Sequence, residues 1–225
     1  QKDTSGNYDA GITFTGSPFT PNQTPALSIS QPASGNANVA YGSSYNITYT
    51  LADPDNVITT AFYYDTNNDG VGGVAITSCT SAQEGTNVTC SFATGVLTLG
   101  VPYYIYGATS DGVNPTVTTV SSGTITITDQ TAPVITLLGT TPITIAQGST
   151  YTDAGATALD NVDGNLTSSI VTTNLVNASV VGTYTVTYNV SDAALNAATP
   201  VVRTVHVTDQ TAPVITLLGT TPITI

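Results

Sequence analysis

The chain has 225 residues, of which 2 are Lys or Arg and 14 are Asp or Glu, giving a net charge of −12. That balance excludes nucleic-acid binding, which needs several basic side chains to displace counterions from phosphates, and it excludes attraction to anionic membrane surfaces. No apolar run approaches the roughly 20 residues of a membrane-spanning helix, yet 40% of the residues are hydrophobic, enough to fill small cores. Thr, Ser, Asn and Gly solvate the surface, because only 7% of the residues are charged. Abundant Thr, Val and Ile favour strands, and their regular alternation excludes disorder. With no initiator Met and no signal peptide, Gln1 reads as a processed or trimmed start, and any anchor is expected outside this chain.

The segment Thr128–Ile145, TDQTAPVITLLGTTPITI, recurs letter for letter at Thr208–Ile225. A self-match of this length marks a tandem array with a unit of about eighty residues. The expected fold is all-β, in tandem antiparallel sandwiches. Four stretches follow from it: residues 1–24, 25–128, 129–207 and 208–225.

Within residues 1–24, Gly11–Thr15 reads as a short strand. It fits a linker, the tail of a preceding domain, or a strand exchanged with another subunit. From Pro25 to about Thr128, short strands recur between turn signals, the pattern of a sandwich. Tyr45, Ile47, Tyr49 and Leu51 alternate with Asn46, Thr48 and Thr50, so one face is buried and one wet. Ile58–Tyr64 and Val101–Thr109 are further strands, and Thr116–Val120 and Thr124–Thr128 are expected to be two more. Cys79 and Cys90 flank a segment with Glu84-Gly85 at its middle, and a disulfide-closed hairpin is expected there. Its chemistry implies export.

In the third stretch the expected strands are Val134–Leu138, Ile143–Ala146, about Ser168–Thr173, Thr183–Val190 and Val201–Val207. Tyr184, Val186, Tyr188 and Val190 face inward, while Thr185, Thr187 and Asn189 face out. Between the second and third strands, TDAGATALDNVDGNLT reads as a long acidic loop. From Thr208 the next unit begins, with only its opening strands.

Several motifs carry this stretch: Asp129-Gln-Thr-Ala-Pro-Val-Ile, Tyr151-Thr-Asp-Ala-Gly-Ala, Asp160-Asn-Val-Asp-Gly-Asn-Leu-Thr, Val181-Gly-Thr-Tyr-Thr-Val-Thr-Tyr-Asn-Val-Ser-Asp and Arg203-Thr-Val. Together they resemble the HYR-like bacterial immunoglobulin-like repeat over residues 128–207, plus the stub 208–225. The resemblance implies a small β-sandwich strung in tandem on secreted or surface proteins of microbes, often adhesive or structural. One departure shows at Asp192-Ala-Ala-Leu195-Asn, where the family has Asp-x-Ala-Gly-Asn. Gly suits a positive φ there and Leu resists it, so either the turn is rebuilt or Leu195 is an apolar surface contact. Residues 25–128 more loosely resemble other Ig-like modules of bacterial surface proteins.

Two places suit a hard cation. Asp65, Asn67 and Asp69, with Gly70, match the first half of a calcium loop, but position twelve is Ile76 and not Glu. A polar hairpin loop accounts for the same residues. Asp153, Asp160 and Asp163, with Asn165, gather in the long loop, and Asp129 and Asp209 sit at the unit starts. Carboxylates so placed suit calcium that stiffens an array, and turn chemistry explains them equally. Calcium is thus the one cofactor expected, and only at these places. Six N-x-[ST] sequons, at Asn22, Asn46, Asn87, Asn165, Asn177 and Asn189, are glycosylation candidates or unmodified Asn. Arg203 is in phase with Val201, Val205 and Val207; buried, it needs a carboxylate, from Asp192 or a loop aspartate. His206, the single histidine, reads as a solvated strand residue, and with no nucleophile motif near it no enzyme is expected.

The expected function is therefore mechanical: an extracellular, cell-surface fibre, stalk or filament of Ig-like units. The apolar run Val214, Ile215, Thr216, Leu217 and Leu218 cannot form a core alone. Its partner is another copy of the chain, by strand addition, or the adjoining repeat of a longer one. The alternative is an adhesin module for carbohydrate or a cell-surface ligand on host or matrix, carried by exposed aromatics among Tyr63, Tyr64, Tyr103, Tyr104 and Tyr106.

Overall fold

The computed structural model describes residues 21–219 and 222. The expected strand Gly11–Thr15 lies outside them. The chain divides into two compact units, residues 1–128 and 129–225.

The first unit contains β1 (Ala26–Gln31), β2 (Gly35–Ala40), β3 (Ser44–Ala52), β4 (Thr59–Asp65), β5 (Val74–Ala75), β6 (Gly85–Ala93), β7 (Pro102–Ser110) and β8 (Val117–Thr128). They form a three-stranded sheet, β1-β3-β6, and a five-stranded sheet, β2-β8-β7-β4-β5. Period-two alternation on β3 buries Ile47, Tyr49 and Leu51, as the pleat requires. Phe62, Ile105, Ile125 and Ile127 join them in one core.

Two expectations are corrected here. Thr116–Val120 and Thr124–Thr128 are not separate strands but parts of β8. The register against β7 slips between Tyr104 and Tyr106. At the slip the Ser121 hydroxyl accepts the Ile105 N–H at 3.1 Å and donates to the Gly123 carbonyl at 2.7 Å. Ser-Ser-Gly here marks a bulge and not a turn. The cystine hairpin is also absent. Cys79 and Cys90 are bonded, with Cα atoms 5.9 Å apart, but Cys79 closes a 3-10 turn, Thr77–Cys79. The chain just before that turn pairs with β4, and Cys90 on β6 pairs with β3. The disulfide therefore ties the β5 end of one sheet to the β6 edge of the other.

The second unit contains β9 (Val134–Leu137), β10 (Ile143–Ala146), β11 (Ala156–Asp160), β12 (Gly164–Asn165), β13 (Val171–Asn174), β14 (Gly182–Asn189) and β15 (Val201–Thr208). Its sheets are β10-β15-β14-β13 and β12-β11-β9. The segment repeated at the chain's end holds the two strands that tie these sheets together. β9 pairs antiparallel with β11 in one sheet, and β10 pairs parallel with β15 in the other. The first unit repeats the device: β1 lies beside β3, and β2 runs parallel to β8.

The long acidic loop expected between the second and third strands is instead largely a hairpin, β11–β12. Its strand signal is muted because the inward positions are Ala156 and Ala158, both buried, and alanine is a poor strand marker. On β14, Val186 and Tyr188 are buried, followed by Val190, as expected, while Tyr184, also expected inward, is half-buried.

Candidate functional site

Asp129, Asp160, Asp163 and Asp192 meet at one end of the second unit. One carboxylate oxygen from each lies within 4.8 Å of the others. Three separate segments supply them. Asp129 begins the unit, immediately before the proline-fixed approach to β9. Asp160 ends β11, and Asp163 stands in the tight turn to β12. Asp192 follows β14, beside the Ser191–Ala197 bridge.

Each carboxylate also shapes its own segment. Asp129 Oδ1 accepts the Thr131 N–H at 3.0 Å. Asp160 Oδ1 accepts the N–H groups of Val162 and Asp163 at 2.7 and 2.9 Å. Asp163 Oδ2 accepts the Ala193 N–H at 2.7 Å, joining the hairpin turn to the segment after β14. Asp192, 5% exposed, accepts from the Asn196 backbone at 2.7 Å and its side-chain amide at 2.8 Å. The same amide donates to the Asp129 carbonyl at 3.4 Å.

The electrostatics of this group are unbalanced. The Asp163 N–H chiefly holds the Asp160 carboxyl below the usual carboxylate range; burial opposes it, and the Val162 and Asn161 N–H groups add to the lowering. Two like charges about 4–5 Å apart near a protein surface repel by roughly 3–4 kcal/mol. Among the described residues the ion pair is elsewhere, between Arg203 and Asp153. The Oδ2 atoms of Asp129 and Asp160 are both fully buried and accept no hydrogen bond.

Of the expected cation ligands, Asp160 and Asp163 belong to this group and Asp153 lies outside it. Asp153 accepts from Arg203 Nη1 at 2.8 Å, from the Tyr151 hydroxyl at 2.8 Å and from the Tyr188 hydroxyl. It is the loop aspartate that partners Arg203; Asp192 is not. The Asp65–Asp69 loop turns its side-chain oxygens on its own backbone. Asp65 Oδ1 accepts from Thr66, Asn67 Oδ1 from Asp69 and Asp69 Oδ1 from Val71. Asp129 and Asp192 complete the group only because the sheet holding β11 packs on the sheet holding β14. Sequence spacing alone gives no sign of that.

Other expected positions are placed as follows. Asn46, Asn87, Asn165 and Asn177 are exposed, while Asn22 and Asn189 are half-buried. The Asn22 amide donates to Asp111 at 2.9 Å. His206 is half-buried and shares a hydrogen bond with Thr183 at 3.0 Å. None of the five tyrosines named for ligand binding is exposed. Tyr63 stacks on Tyr106 with centroids 4.9 Å apart, and Tyr64 meets Tyr103 edge-on at 5.6 Å.

The two copies of the repeated segment differ in environment. In the first, Ile135 is 8% exposed and packed in the core. In the second, Ile215 is 90% exposed, and Val214, Leu217 and Leu218 are exposed with it. Residues 209–218 form no strand. Their turn is nonetheless the same: Asp209 Oδ1 accepts the Thr211 N–H at 2.9 Å, as Asp129 does for Thr131.

Residues 135–207 match the family model described as bacterial surface protein, Ig-like domain. This stretch is similar to the Ig-like domains of bacterial surface proteins, a family that suggests a surface or extracellular location. No curated protein matches the chain. Among solved structures, a lipoprotein from Bacteroides thetaiotaomicron is 25% identical over 36% of this chain and 40% of its own, with a TM-score of 0.32. The chain thus spans well under half of that lipoprotein. Fibronectin(III)-like modules of Clostridium thermocellum CbhA are 18% identical over 82% of this chain and 95% of theirs, with a TM-score of 0.34. The N-terminal Ig1-2 module of a Drosophila receptor protein tyrosine phosphatase is 13% identical over 83% and 100%, with a TM-score of 0.33. No helix among the described residues is long and apolar enough to cross a membrane.

Proposed function

We propose that this chain is a structural segment of an extracellular bacterial stalk or fibre built from Ig-like units in tandem, and that residues 209–218 open a further unit. One observation carries the reading: an identical sequence is a paired, core-forming strand at Val134–Leu137 and an exposed apolar segment at Val214–Leu217. Burying an isoleucine side chain is worth about 1.5–3 kcal/mol, so the second copy gains stability wherever strands like β11 and β15 are offered to it.

Two sources can offer them. A neighbouring copy can accept the segment by strand addition, giving a head-to-tail contact that does not close. Its matching slot, however, is already filled by an identical β9, so exchange there yields no net burial. Covalent continuation has no such obstacle and is the favoured arrangement. Tyr103 and Tyr106 are buried and Tyr63, Tyr64 and Tyr104 half-buried, which supports this structural role over a carbohydrate-binding one that needs aromatic faces in solvent.

The test appends a second copy of residues 146–207 after Ile225. The extended chain is expected to remain monomeric, to gain one Ig-like unfolding transition and to protect the amides of Ile215 and Leu217 from hydrogen exchange. Fibres formed by the original 225-residue chain, seen by electron microscopy and lost on deleting residues 209–225, would instead establish strand exchange. An extended chain whose added residues stay unprotected would defeat the reading.

A further inference from the structure

We infer that Asp129, Asp160, Asp163 and Asp192 form a calcium site that staples the start of the second unit to its β11–β12 turn and to the segment after β14. This inference stands apart from the stalk reading, since it concerns one unit by itself.

Three observations converge on a cation. The first is the geometry: four carboxylate oxygens lie within 4.8 Å of one another. Calcium binds oxygens at 2.3–2.6 Å, so oxygens on opposite sides of one ion stand roughly 4.6–5.2 Å apart. All four fit a single coordination sphere. The second is orphaned acceptors. Asp129 and Asp160 each hold a fully buried Oδ2 that accepts no hydrogen bond. A buried carboxylate oxygen left unpartnered is costly, and here two belong to the same group. The third is charge. The chain has two basic residues, and Arg203 is spent on Asp153, the Leu138 carbonyl and the Gly155 carbonyl.

The donor set decides which cation. It offers only oxygen, from carboxylates, with no thiolate or imidazole in the group, which selects a hard ion over zinc or copper. Four carboxylates from three separate segments suit the irregular sphere of calcium better than the strict octahedron of magnesium, which keeps several waters and uses one or two carboxylates. The hydrogen bonds already present explain how the ligands are aimed. Asp129 and Asp160 each cap their own turn with one oxygen and are left with the other to give, whereas both oxygens of Asp192 already accept from Asn196. At Asp160 the capped atom is Oδ1 and the unpartnered atom is Oδ2. Asp129 divides its two oxygens in the same way. Asp209 repeats the Asp129 turn in the second copy of the segment, so a unit built on that copy carries the same first ligand.

The test uses the full chain, stripped with chelator and titrated with calcium chloride. Amide resonances are expected to move at residues 129–131, 160–165 and 191–197, and to stay fixed in the Asp65–Asp69 loop. Millimolar calcium is expected to raise the midpoint of the second unit's thermal transition by several degrees, on the order of 5 °C, through preferential binding to the folded form. Asp160→Asn and Asp192→Asn keep an acceptor for each turn and should each abolish the shift, while Asp69→Asn should leave it intact. The amide titration reads the wild-type chain, so it decides the matter even if a variant fails to fold. Unmoved amides at the four aspartates overturn the site. A thermal shift that survives in both Asn variants, or vanishes in Asp69→Asn, overturns it equally. Equal response to magnesium at the same concentration overturns the assignment to calcium.

Discussion

Arg203 Nη1 donates to Asp153 Oδ1 across 2.8 Å, with the arginine side chain 3% exposed and that of the aspartate 16% exposed. The guanidinium also donates to the carbonyls of Leu138 and Gly155 and lies 6.0 Å from the Tyr188 ring centroid. It thereby bridges the sheet that contains β15 to the ends of β9 and β11. Removing one partner of such a pair leaves a charge and two carbonyls without their donor. Arg203→Leu should destabilise the second unit by about 3–5 kcal/mol. Pairing it with Asp153→Leu should recover part of the loss. Denaturant midpoints followed at resonances of β14 and β15 would check this, and a loss below about 1 kcal/mol would show the pair to be incidental.

The same network fixes a pH window. Burial pushes the Asp153 carboxyl up, but hydrogen bonds from Tyr188, Tyr151 and the Gly155 N–H, with the Arg203 charge, outweigh it and hold it below the usual range. Its contribution is complete above the unfolded value of about 3.9 and is lost as pH falls through the lower folded value. Tyr188 is shifted the other way, raised by burial and then by its bond to Asp153. Its contribution is complete below about 10 and is lost as pH rises through the folded value. Stability of the second unit should therefore be flat between about pH 5 and 9 and fall on both sides. In Asp153→Asn the acid-side fall should shrink. An unchanged acid limb in that variant would assign the fall to other carboxylates.

The sandwich architecture was legible in the sequence because β3, β14 and β15 alternate strictly, with Ile47, Tyr49 and Leu51 or Val205 and Val207 inward. What escaped was of two kinds. Alanine strands were hidden: β11 buries Ala156 and Ala158, which look no different from loop residues beside Gly155 and Asp160. Non-local pairing was hidden too. The carboxylates Asp129 and Asp192 stand far from Asp160 in sequence, and only the β9–β11 ladder, together with the packing of its sheet on that of β14, brings their segments to one end. Asp153 reads as another member of the acidic stretch, but it precedes β11 while Asp160 ends it. That strand's length carries the two to different surroundings. The Asp65–Asp69 motif was legible as a turn for the same reason that it suggested a cation: Asx side chains cap nearby N–H groups.

Reduction should act on one unit only. The Cys79–Cys90 bond closes a loop of sequence separation 11, and chain entropy for a loop of that size gives about 3 kcal/mol. One end lies in the turn after β5 and the other on β6 of the opposite sheet, so the loss falls on sheet packing there. A double Cys→Ser variant should lower that unit's unfolding midpoint and leave the second unit's transition where it was. Two separable transitions in a thermal melt, with only one displaced, is the expected record. Equal displacement of both would mean that the units unfold as one.

Leu195 holds φ at +69° with its side chain 83% exposed. The turn after Asp192 has therefore not been rebuilt to suit leucine; it keeps the left-handed conformation and bears the strain. That conformation costs a side chain with a Cβ roughly 1–2 kcal/mol, and glycine adopts it freely. An exposed leucine gains little from packing in return. Against this, glycine adds freedom to the unfolded chain, worth about 0.4–1 kcal/mol. The difference favours the substitution, so Leu195→Gly should stabilise the second unit by up to about 1 kcal/mol. Leu195→Asn should do nearly as well, since a short amide tolerates this region. Leu195→Val should lose stability, because a branched Cβ fits it worst. Urea midpoints for the three variants would rank them. A stability loss in Leu195→Gly would show that the freedom glycine adds to the unfolded chain outweighs the strain it relieves.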